Sequence, residues 1–251
     1  MLENKYYDSA FFSELEKGSF VSAQKILPII NDIIAPKSVL DVGCGVGHWL
    51  KVWRDDLNVK DIQGIEGPYV KDEFLSIPIE NLLKTDLKKE INLNKNFDLV
   101  MSMEVAEHIP EENSEAFINT LINHGDIILF SAAIIGQLGT YHINEQMPEY
   151  WAAKFLKHRY VAVDLLRPRI WNDTEIAYWY RQNAILYVKK SSLQKFPLLE
   201  QISKITDPNY LTRIHPEKYF SYVEEHRQLK NVGGWAMFKY MELKKALKKK
   251  K

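Results

Sequence analysis

A short apolar run followed at once by closely spaced glycines is the feature that most restricts how this chain can fold. Residues Ser38–Val42 have the composition of a buried strand, and the turn Asp41-Val42-Gly43-Cys44-Gly45-Val46-Gly47 continues from it without a break. The next stretch, from His48 to Trp53, can form a helix. Glycines allow a positive φ and leave room where a Cβ would block a ligand, and a helix N-terminus offers free N–H groups. The segment therefore predicts a ligand-binding turn between a strand and a helix.

The chain beyond this turn alternates short apolar runs with amphipathic stretches, which is typical of β-α units around a mostly parallel sheet. Pro168 and Asn172-Asp173 leave too little room for a full crossover helix before the last strand, which favours an antiparallel closing hairpin. We expect a Rossmann-like α/β fold with helices on both faces of a seven-stranded sheet. Its predicted strands are Ser38–Val42, Asp61–Glu66, Asn81–Lys84, Phe97–Met101, Asp126–Ser131, Tyr160–Leu166 and Ala184–Lys189.

The pattern changes near both ends and predicts three zones. Residues 1–36 read as an N-terminal helical cap that ends at Pro36, and residues 37–190 form the ligand-binding domain. Residues 191–251 read as a helical appendage, which Pro197, Pro208 and Pro216 punctuate, with a lysine-rich tail. The tail is formed by Lys244, Lys245 and Lys248 to Lys251, and its simplest interpretation is a solvated end.

Charge and cysteine content bound the partners and the location of the protein. The chain has 33 Lys and Arg against 33 Asp and Glu, so no overall field draws it toward nucleic acid or membrane. Its single cysteine, Cys44, fits a reducing compartment, and no apolar run approaches the ~20 residues that a membrane span needs. We expect a cytoplasmic protein with a small-molecule partner and no nucleic acid; the oligomeric state stays open, a dimer included.

The spacing of the glycines separates two kinds of nucleotide-derived ligand. A dinucleotide-binding turn requires a glycine three positions after Gly45, where this chain has His48. The spacing Asp-x-Gly-x-Gly-x-Gly instead resembles motif I of the class I methyltransferases that use S-adenosylmethionine (SAM). The resemblance implies the class I methyltransferase fold and SAM as cofactor. It also implies a cofactor site that contains Asp41, Gly43, Cys44, Gly45 and Trp49.

Two acidic residues after the glycine turn extend this resemblance. Glu66 ends the second predicted strand before Gly67, and an acidic side chain about 20 residues beyond such a turn can accept both hydrogen bonds of a ribose diol. The alternative for Glu66 is a surface carboxylate. Residues 83–87 resemble the third motif of the family, in which Asp86 would contact the adenine amino group. The resemblance also implies that Gly67, Leu87 and Met103 line the cofactor site.

The segment Glu104-Val105-Ala106-Glu107-His108 follows the fourth predicted strand. If it opens a helix, Glu104, Glu107 and His108 share one face, and this set can hold Mg²⁺ or Mn²⁺. Simple helix capping is the alternative. His142 follows the fifth predicted strand, and loops at the carboxyl edge of a parallel sheet meet, so His142 and His108 can converge.

The segment resembles the metal-binding Glu-x-x-Glu-His of ubiquinone-pathway O-methyltransferases and of small-RNA 2′-O-methyltransferases, the latter with a further histidine downstream. The resemblance implies a metal bound by Glu104, Glu107, His108 and His142. The alternative is a metal-free site in which His142 or His108 is the general base.

Longer stretches are similar to a bacterial group of methyltransferases associated with surface-polysaccharide (capsule and O-antigen) biosynthesis. The matching stretches are Phe11-Phe12, 39–50, 104–110, 130–134, 142–151, 167–171 and 179–183. This resemblance implies O-methylation of a saccharide, nucleotide-linked or phosphoryl-bearing precursor, without identifying the acceptor. Two alternatives stay open: an RNA ribose 2′-O-methyltransferase, and a SAM-binding subunit without activity that supports a partner.

Arginines and aromatic residues near the predicted closing hairpin suggest a place for the acceptor. Arginine binds phosphate or carboxylate in a bidentate manner, and aromatic rings suit sugar faces. The alternative is ordinary packing of aromatics under stacked arginines. The predicted substrate-binding residues are Arg167, Arg169, Arg181 and Trp171.

Overall fold

A computed structural model describes the backbone of residues 9–231 and the side chains of residues 18–227. The lysine-rich tail predicted at residues 244–251 lies outside these ranges. Seven strands are present: β1 (Ser38–Val42), β2 (Asp61–Glu66), β3 (Leu82–Lys84), β4 (Leu99–Met103), β5 (Ile127–Ser131), β6 (Tyr160–Val163) and β7 (Ile185–Lys189). The helices are α1 (Ser9–Ile34), α2 (His48–Asp55), α3 (Ser114–Ile122), α4 (Pro148–Lys157), α5 (Arg167–Ile170), α6 (Tyr178–Asn183), α7 (Pro197–Ile205) and α8 (Pro216–Asn231).

The strands form one sheet in the order β3-β2-β1-β4-β5-β7-β6. β1 pairs in parallel with β2 and β4, and β4 pairs in parallel with β5. β7 runs antiparallel to both β5 and β6. The predicted fold class, with its antiparallel closing hairpin, is therefore confirmed. β1 lies beside the central strand β4, and the chain reverses its direction of travel along the sheet between these two strands, the point at which ligands of open α/β sheets bind.

Both faces of the sheet are covered, as the near-continuous apolar strands predict. Successive strand residues point to opposite faces, so Val39 packs with α1 and α2 while Leu40 packs with α3 and α4. Ile26 and Ile30 of α1 are fully buried in the first layer. Fully burying side chains of this size stabilises the fold by about 1.5–3 kcal/mol each. α1 is thus part of the domain core rather than a separate cap.

Two of the predicted strands differ from the structure by more than one residue. The strand predicted at Phe97–Met101 begins at Leu99 and continues to Met103, and the strand predicted at Tyr160–Leu166 ends at Val163. The second ends early because the Asp164 carboxylate pairs with Arg167, at the start of α5. The connection between β6 and β7 contains the short helices α5 and α6, so Trp171 and Arg181 lie on this connection and not on hairpin strands.

Contacts divide the chain into two compact units, Met1–Arg213 and Ile214–Lys251. The first unit extends this far because Leu199 of α7 and Leu211 are buried in its core. The second unit contains α8, whose exposed side chains include Tyr219 and Phe220. Among the described residues, no helix combines the length and apolar character needed to cross a membrane.

Candidate functional site

The glycine turn lies at the carboxyl end of β1. Gly43, Gly45 and Gly47 have positive φ angles of 82°, 55° and 88°, which the sequence predicts for this turn. A Cβ on Gly43 would lie 2.5 Å from the methyl groups of Val105, so the turn packs directly against the segment that follows β4. No protein atom lies within 4 Å of the position of a Cβ on Gly45. The turn thus keeps open the space that a side chain at this position would fill.

Glu66 at the end of β2 holds the glycine turn in place. Its Oε2 accepts a hydrogen bond from the Gly45 N–H at 2.6 Å, and its Oε1 accepts from the Gly67 N–H at 2.6 Å. The Tyr69 hydroxyl also donates to Oε1 at 2.6 Å. Glu66 is buried, which agrees with the predicted position at a strand end and not with the alternative of a surface carboxylate. Tyr69 was not predicted, since a tyrosine beyond a Gly-Pro pair carries no recognisable spacing signal.

Asp41 and Glu66 form a buried pair of acidic groups beside the turn. Burial, and then the negative charge of Glu66, raise the pKa of Asp41 to about 8. Burial also raises the pKa of Glu66, against the lowering effect of its hydrogen bonds from Tyr69, Gly67 and Gly45. Carboxyls in this state are stabilised as anions when a positive charge comes near. The pair therefore favours a cationic ligand at the glycine turn.

The other residues predicted around the cofactor have different surroundings. Burial raises the pKa of the Cys44 thiol well above its usual value, so this cysteine is a small packing residue and not a nucleophile. The Trp49 indole donates to Ser19 at 3.0 Å and packs edge-on against Tyr180 at 5.2 Å between ring centroids. These contacts place Trp49 between α1, α2 and α6, and its part in the cofactor site stays a prediction.

The loop after β3 and the end of β4 complete the predicted cofactor residues. The Asp86 carboxylate is partly exposed, and its Oδ1 accepts the Lys88 N–H at 3.1 Å. Leu87 and Met103 are buried. The carboxyl ends of β1 to β4 are neighbours in the sheet, so these residues follow strands that end on the edge that carries the glycine turn.

The helix considered from the sequence, in which Glu104 would share a face with Glu107 and His108, does not form after β4. Glu104 has a φ of 57°, an uncommon left-handed backbone for a residue other than glycine, and its N–H donates to the Ser131 carbonyl at 3.0 Å. The helical turn begins only at Ala106 and is a single 3₁₀ turn, Ala106–His108. Such strained residues are frequent at functional sites.

Side-chain amides surround the Glu104 carboxylate. Its Oε2 accepts from Gln137 Nε2 at 2.8 Å and its Oε1 accepts from Asn183 Nδ2 at 3.1 Å. Burial raises the pKa of Glu104, while these amide hydrogen bonds oppose that effect. Glu104 therefore does not share the cluster of Glu107, His108 and His142, contrary to the predicted set of four metal ligands. Gln137 and Asn183 were not predicted, because they belong to distant parts of the chain.

Glu107, His108 and His142 meet at the carboxyl edge of β4 and β5, where the sequence analysis expected the two histidines to converge. One possible ligand atom from each of the three lies within 4.8 Å of the other two. The imidazole rings contact edge to face with their centroids 4.9 Å apart. Glu107 is fully buried, and neither carboxylate oxygen makes a hydrogen bond of good geometry, although the backbone N–H groups of Glu107 and Ala133 lie near enough to lower its pKa. Burial and then the charge of Glu104 raise its pKa well above the usual value.

Hydrogen bonds fix the tautomer of both histidines. His108 Nδ1 lies 3.1 Å from the Tyr141 carbonyl oxygen, and His142 Nδ1 lies 2.9 Å from Glu145 Oε1. Because both oxygens can only accept in these bonds, each ring carries its hydrogen on Nδ1. Each neutral ring then has its lone pair on Nε2. Burial, followed by the proximity of His142, lowers the pKa of His108, so this ring is neutral at physiological pH.

The loop that follows β5 is fastened to the 3₁₀ turn by buried hydrogen bonds. The N–H groups of Ile143 and Asn144 both donate to the Glu107 carbonyl, at 3.0 and 2.9 Å. The Asn144 side chain donates to the Ile109 carbonyl at 3.0 Å. These bonds set the distance between the two histidines. Asn144 and Glu145 were missed in the sequence, although the His142-x-x-Glu145 spacing is a usable signal for a carboxylate that orients a histidine.

The predicted substrate-binding arginines are mostly used within the fold. Arg167 is buried and forms a two-point ion pair with Asp164, both bonds 2.8 Å long. A further guanidinium nitrogen donates to the Leu211 carbonyl at 2.6 Å. Arg181 is buried and donates to the Trp171 carbonyl at 3.2 Å, while the exposed Arg169 donates to the Leu165 carbonyl at 2.7 Å. Arg167 is therefore a structural residue, which corrects the prediction of a substrate ligand.

The sheet order and the glycine turn at its centre define the class I methyltransferase architecture. A model of the methyltransferase domain family matches residues 19–162, which is more than half of the chain. The chain therefore belongs to the methyltransferase domain family.

Several solved structures are similar to this chain. The plantazolicin methyltransferase BpumL in complex with SAH is 18% identical with a TM-score of 0.51, and the match covers 72% of this chain and 88% of that chain. The methyltransferase domain of bacterial CtHen1-C is 20% identical with a TM-score of 0.49, covering 67% of this chain and 97% of that chain. DesVI of Streptomyces venezuelae is 18% identical with a TM-score of 0.42, covering 53% and 61%. No curated protein matches the sequence.

Proposed function

We propose that the protein transfers the methyl group of SAM to a hydroxyl oxygen of a saccharide-class acceptor. The observation that carries this proposal is the direct packing of the glycine turn against the segment that leads to the histidine cluster. The glycine turn with its buried acidic pair touches Val105, and Val105 immediately precedes the 3₁₀ turn that holds Glu107 and His108. A donor group held at the turn and an acceptor oxygen held at the histidines would lie side by side, which methyl transfer requires.

The glycine turn suits SAM in particular. SAM carries a positive sulfonium and an ammonium group, and the buried pair of Asp41 and Glu66 favours a cation. Glu66 also lies at the strand end where an acidic residue can accept the two hydrogen bonds of a ribose diol. We infer that Asp86 contacts the adenine, as the sequence motif suggests, and that Gly67, Leu87 and Met103 line the same site.

The histidines supply the chemistry on the acceptor side. SAM is already a strong electrophile, so the protein has to align the acceptor hydroxyl and help to remove its proton. In the metal-free alternative, the neutral His108 has its Nε2 lone pair available and can take that proton directly. His142 has the same tautomer and is the second candidate base.

Glu107, His108 and His142 also fit a divalent cation. The buried oxygens of Glu107 make no hydrogen bond of good geometry, and one possible ligand atom from each of the three side chains lies within 4.8 Å of the other two. A bound Mg²⁺ or Mn²⁺ would lower the pKa of an acceptor hydroxyl. Imidazole ligands favour Mn²⁺ over Mg²⁺, which prefers oxygen ligands. We propose that these three side chains hold the cation and that Glu104, held by its amide neighbours, supports them from outside.

Transfer of a radiolabelled methyl group from SAM tests the proposal. Full-length protein is treated with EDTA and then incubated with saccharide precursors from bacterial surface-polysaccharide synthesis, such as nucleotide-linked sugars. We expect labelled sugar product that depends on added Mn²⁺. Labelling of RNA instead would favour ribose 2′-O-methylation, and SAM binding with no transfer to any acceptor in a cell extract would indicate a non-catalytic subunit. Full activity in EDTA would contradict the cation site.

Tyr69→Phe is expected to tighten SAM binding by about tenfold. The Tyr69 hydroxyl donates to the same Glu66 oxygen that a ribose hydroxyl would use, so removing it removes a competitor. A net hydrogen bond of about 1–1.5 kcal/mol corresponds to this factor. Calorimetric titration with SAM measures the change, with Tyr141→Phe, an exposed tyrosine in another loop, as the control. Unchanged or weaker binding would show that Tyr69 does not compete for Glu66.

A further inference from the structure

We propose that Glu145 is a positioning residue that holds His142, and the loop carrying it, in the geometry that the acceptor side of the site needs. Glu145 does not belong to the cluster of Glu107, His108 and His142, and its role is exerted through His142 and the loop backbone. The proposal deepens the proposed function and rests on it only for its effect on methyl transfer. Its structural part, the orientation of His142, stands on contacts within the loop.

One carboxylate collects three donors from the loop after β5. Glu145 Oε1 accepts the Leu138 N–H at 2.7 Å and the His142 Nδ1–H at 2.9 Å. Its Oε2 accepts the Gly136 N–H at 2.7 Å. The side chains of His142 and Glu145 are 13% and 15% exposed, while Gly136 and Leu138 lie at the surface. Hydrogen bonds to a charged acceptor are stronger than those between neutral groups.

The loop needs this support because its backbone is strained. Leu138 and Tyr141 both have a φ of 61°, in the left-handed region that residues other than glycine rarely occupy. Each such residue is energetically unfavourable and persists only where its surroundings hold it. Tyr141 is also the residue whose carbonyl accepts from His108. The bonds to Glu145 therefore steady a segment on which both histidines depend.

The His142 ring is confined from a second direction. A Cβ on Gly139 would overlap the His142 ring, so the backbone of Gly139 lies directly against the imidazole. Gly139 does not have a positive φ, so the close approach of the ring is what favours glycine there. With Gly139 against the ring and the Glu145 carboxylate on Nδ1, both the position and the tautomer of His142 are set.

A carboxylate performs this task and an amide cannot. All three neighbours of Glu145 are donors, and a carboxylate only accepts. In Glu145→Gln, the amide NH₂ must face either the Gly136 N–H or the pair of Leu138 N–H and His142 Nδ1. In the first arrangement, the amide NH₂ and the Gly136 N–H are two donors that face each other. The second arrangement moves the imidazole hydrogen from Nδ1 to Nε2. Either arrangement releases the loop or removes the Nε2 lone pair of His142.

The experiment compares Glu145→Gln with Glu149→Gln in the full-length protein. Glu149 is a matched control because its carboxylate also holds a loop, through the N–H and hydroxyl of Thr212 at 2.7 and 2.6 Å. Nitrogen-15 NMR of the histidine rings reports the His142 tautomer, and titration with Mn²⁺ reports the affinity of the cluster. Methyl transfer, where present, is separated into kcat and KM for SAM.

We expect the Nδ1–H tautomer for His142 in the parent and in Glu149→Gln, and its loss in Glu145→Gln. Mn²⁺ affinity and kcat should both fall by about 10–100-fold in Glu145→Gln, the usual effect of removing an orienting partner. KM for SAM should stay unchanged. An unaltered His142 tautomer with Mn²⁺ affinity equal to that of Glu149→Gln overturns the proposal. The His142 tautomer tests this inference even if the parent transfers no methyl group. Failure of this inference can therefore be distinguished from failure of the proposed function.

Discussion

Replacing Glu107 by methionine is expected to remove methyl transfer and at the same time to stabilise the fold. Glu107 is fully buried and its two carboxylate oxygens make no hydrogen bond of good geometry, which costs the fold about 1–3 kcal/mol. Methionine fills a similar volume without polar atoms. The free energy of unfolding should therefore rise by about 1–3 kcal/mol. Loss of several kcal/mol of cation-assisted catalysis corresponds to a fall in kcat of at least about 100-fold.

The stabilising effect of Glu107→Met should grow with pH. Burial and the charge of Glu104 raise the pKa of Glu107 in the folded protein, whereas the unfolded chain has the ordinary value. The folded parent therefore retains its proton to higher pH and loses stability as the pH rises from the ordinary glutamate range through the raised pKa. Urea unfolding at acidic and alkaline pH measures the difference between the two proteins.

Glu112→Met serves as the control for Glu107→Met, because Glu112 is exposed and lies in the next short turn of the chain. It should change neither the stability nor the activity appreciably. A Glu107→Met protein that is less stable than the parent, or that keeps full activity, would contradict the assignment of Glu107 to the functional cluster.

Glu66→Ala is expected to weaken SAM binding by about 100-fold or more and also to destabilise the fold. Two hydrogen bonds from a ribose diol to a carboxylate contribute about 1.5–3 kcal/mol each, which gives this factor. The fold loses stability because the N–H groups of Gly45 and Gly67 lose their acceptor. Calorimetry with SAM and thermal unfolding of the free protein measure the two effects.

Asp61→Asn is the matched control, since Asp61 begins the same strand β2 that Glu66 ends, and it is exposed. Its substitution should leave SAM affinity unchanged. Glu66→Ala with normal SAM affinity would mean that the carboxylate only holds the glycine turn. The two acidic residues thus differ in a measurable way, because Glu107 lowers stability and Glu66 supports it.

The sequence predicts the geometry of the glycine turn and the position of Glu66 well because local spacing encodes them. The three glycines at positions 43, 45 and 47 have the positive φ that such a turn requires, and Glu66 lies buried at the end of β2. Each of these features depends on a strand, a turn and the start of the next element. The alternation of short apolar runs with amphipathic stretches likewise predicts the sheet and its covered faces, with boundary errors of a few residues.

The acceptor half is predicted less well because long-range contacts define it. The left-handed backbone of Glu104 breaks the helical face that Glu104, Glu107 and His108 would otherwise share. The partners of Glu104, the residues Gln137 and Asn183, come from other loops, so no spacing in the sequence announces them. Arg167 shows the opposite error. Its residue type suggests a ligand for an anion, yet its guanidinium forms an ion pair with Asp164, only three positions away.

The order of the strands has a consequence for redesign of the enzyme. The loops assigned to the methyl donor follow β1, β2 and β3, whereas those assigned to the acceptor follow β4 and β5. The two groups therefore occupy opposite halves of one sheet edge and meet where Val105 packs against Gly43. A chimaera that takes residues 104–109 and 132–147 from another family member would keep its methyl donor and change its acceptor. When the two groups of loops are exchanged, the residue at position 105 must still pack against Gly43.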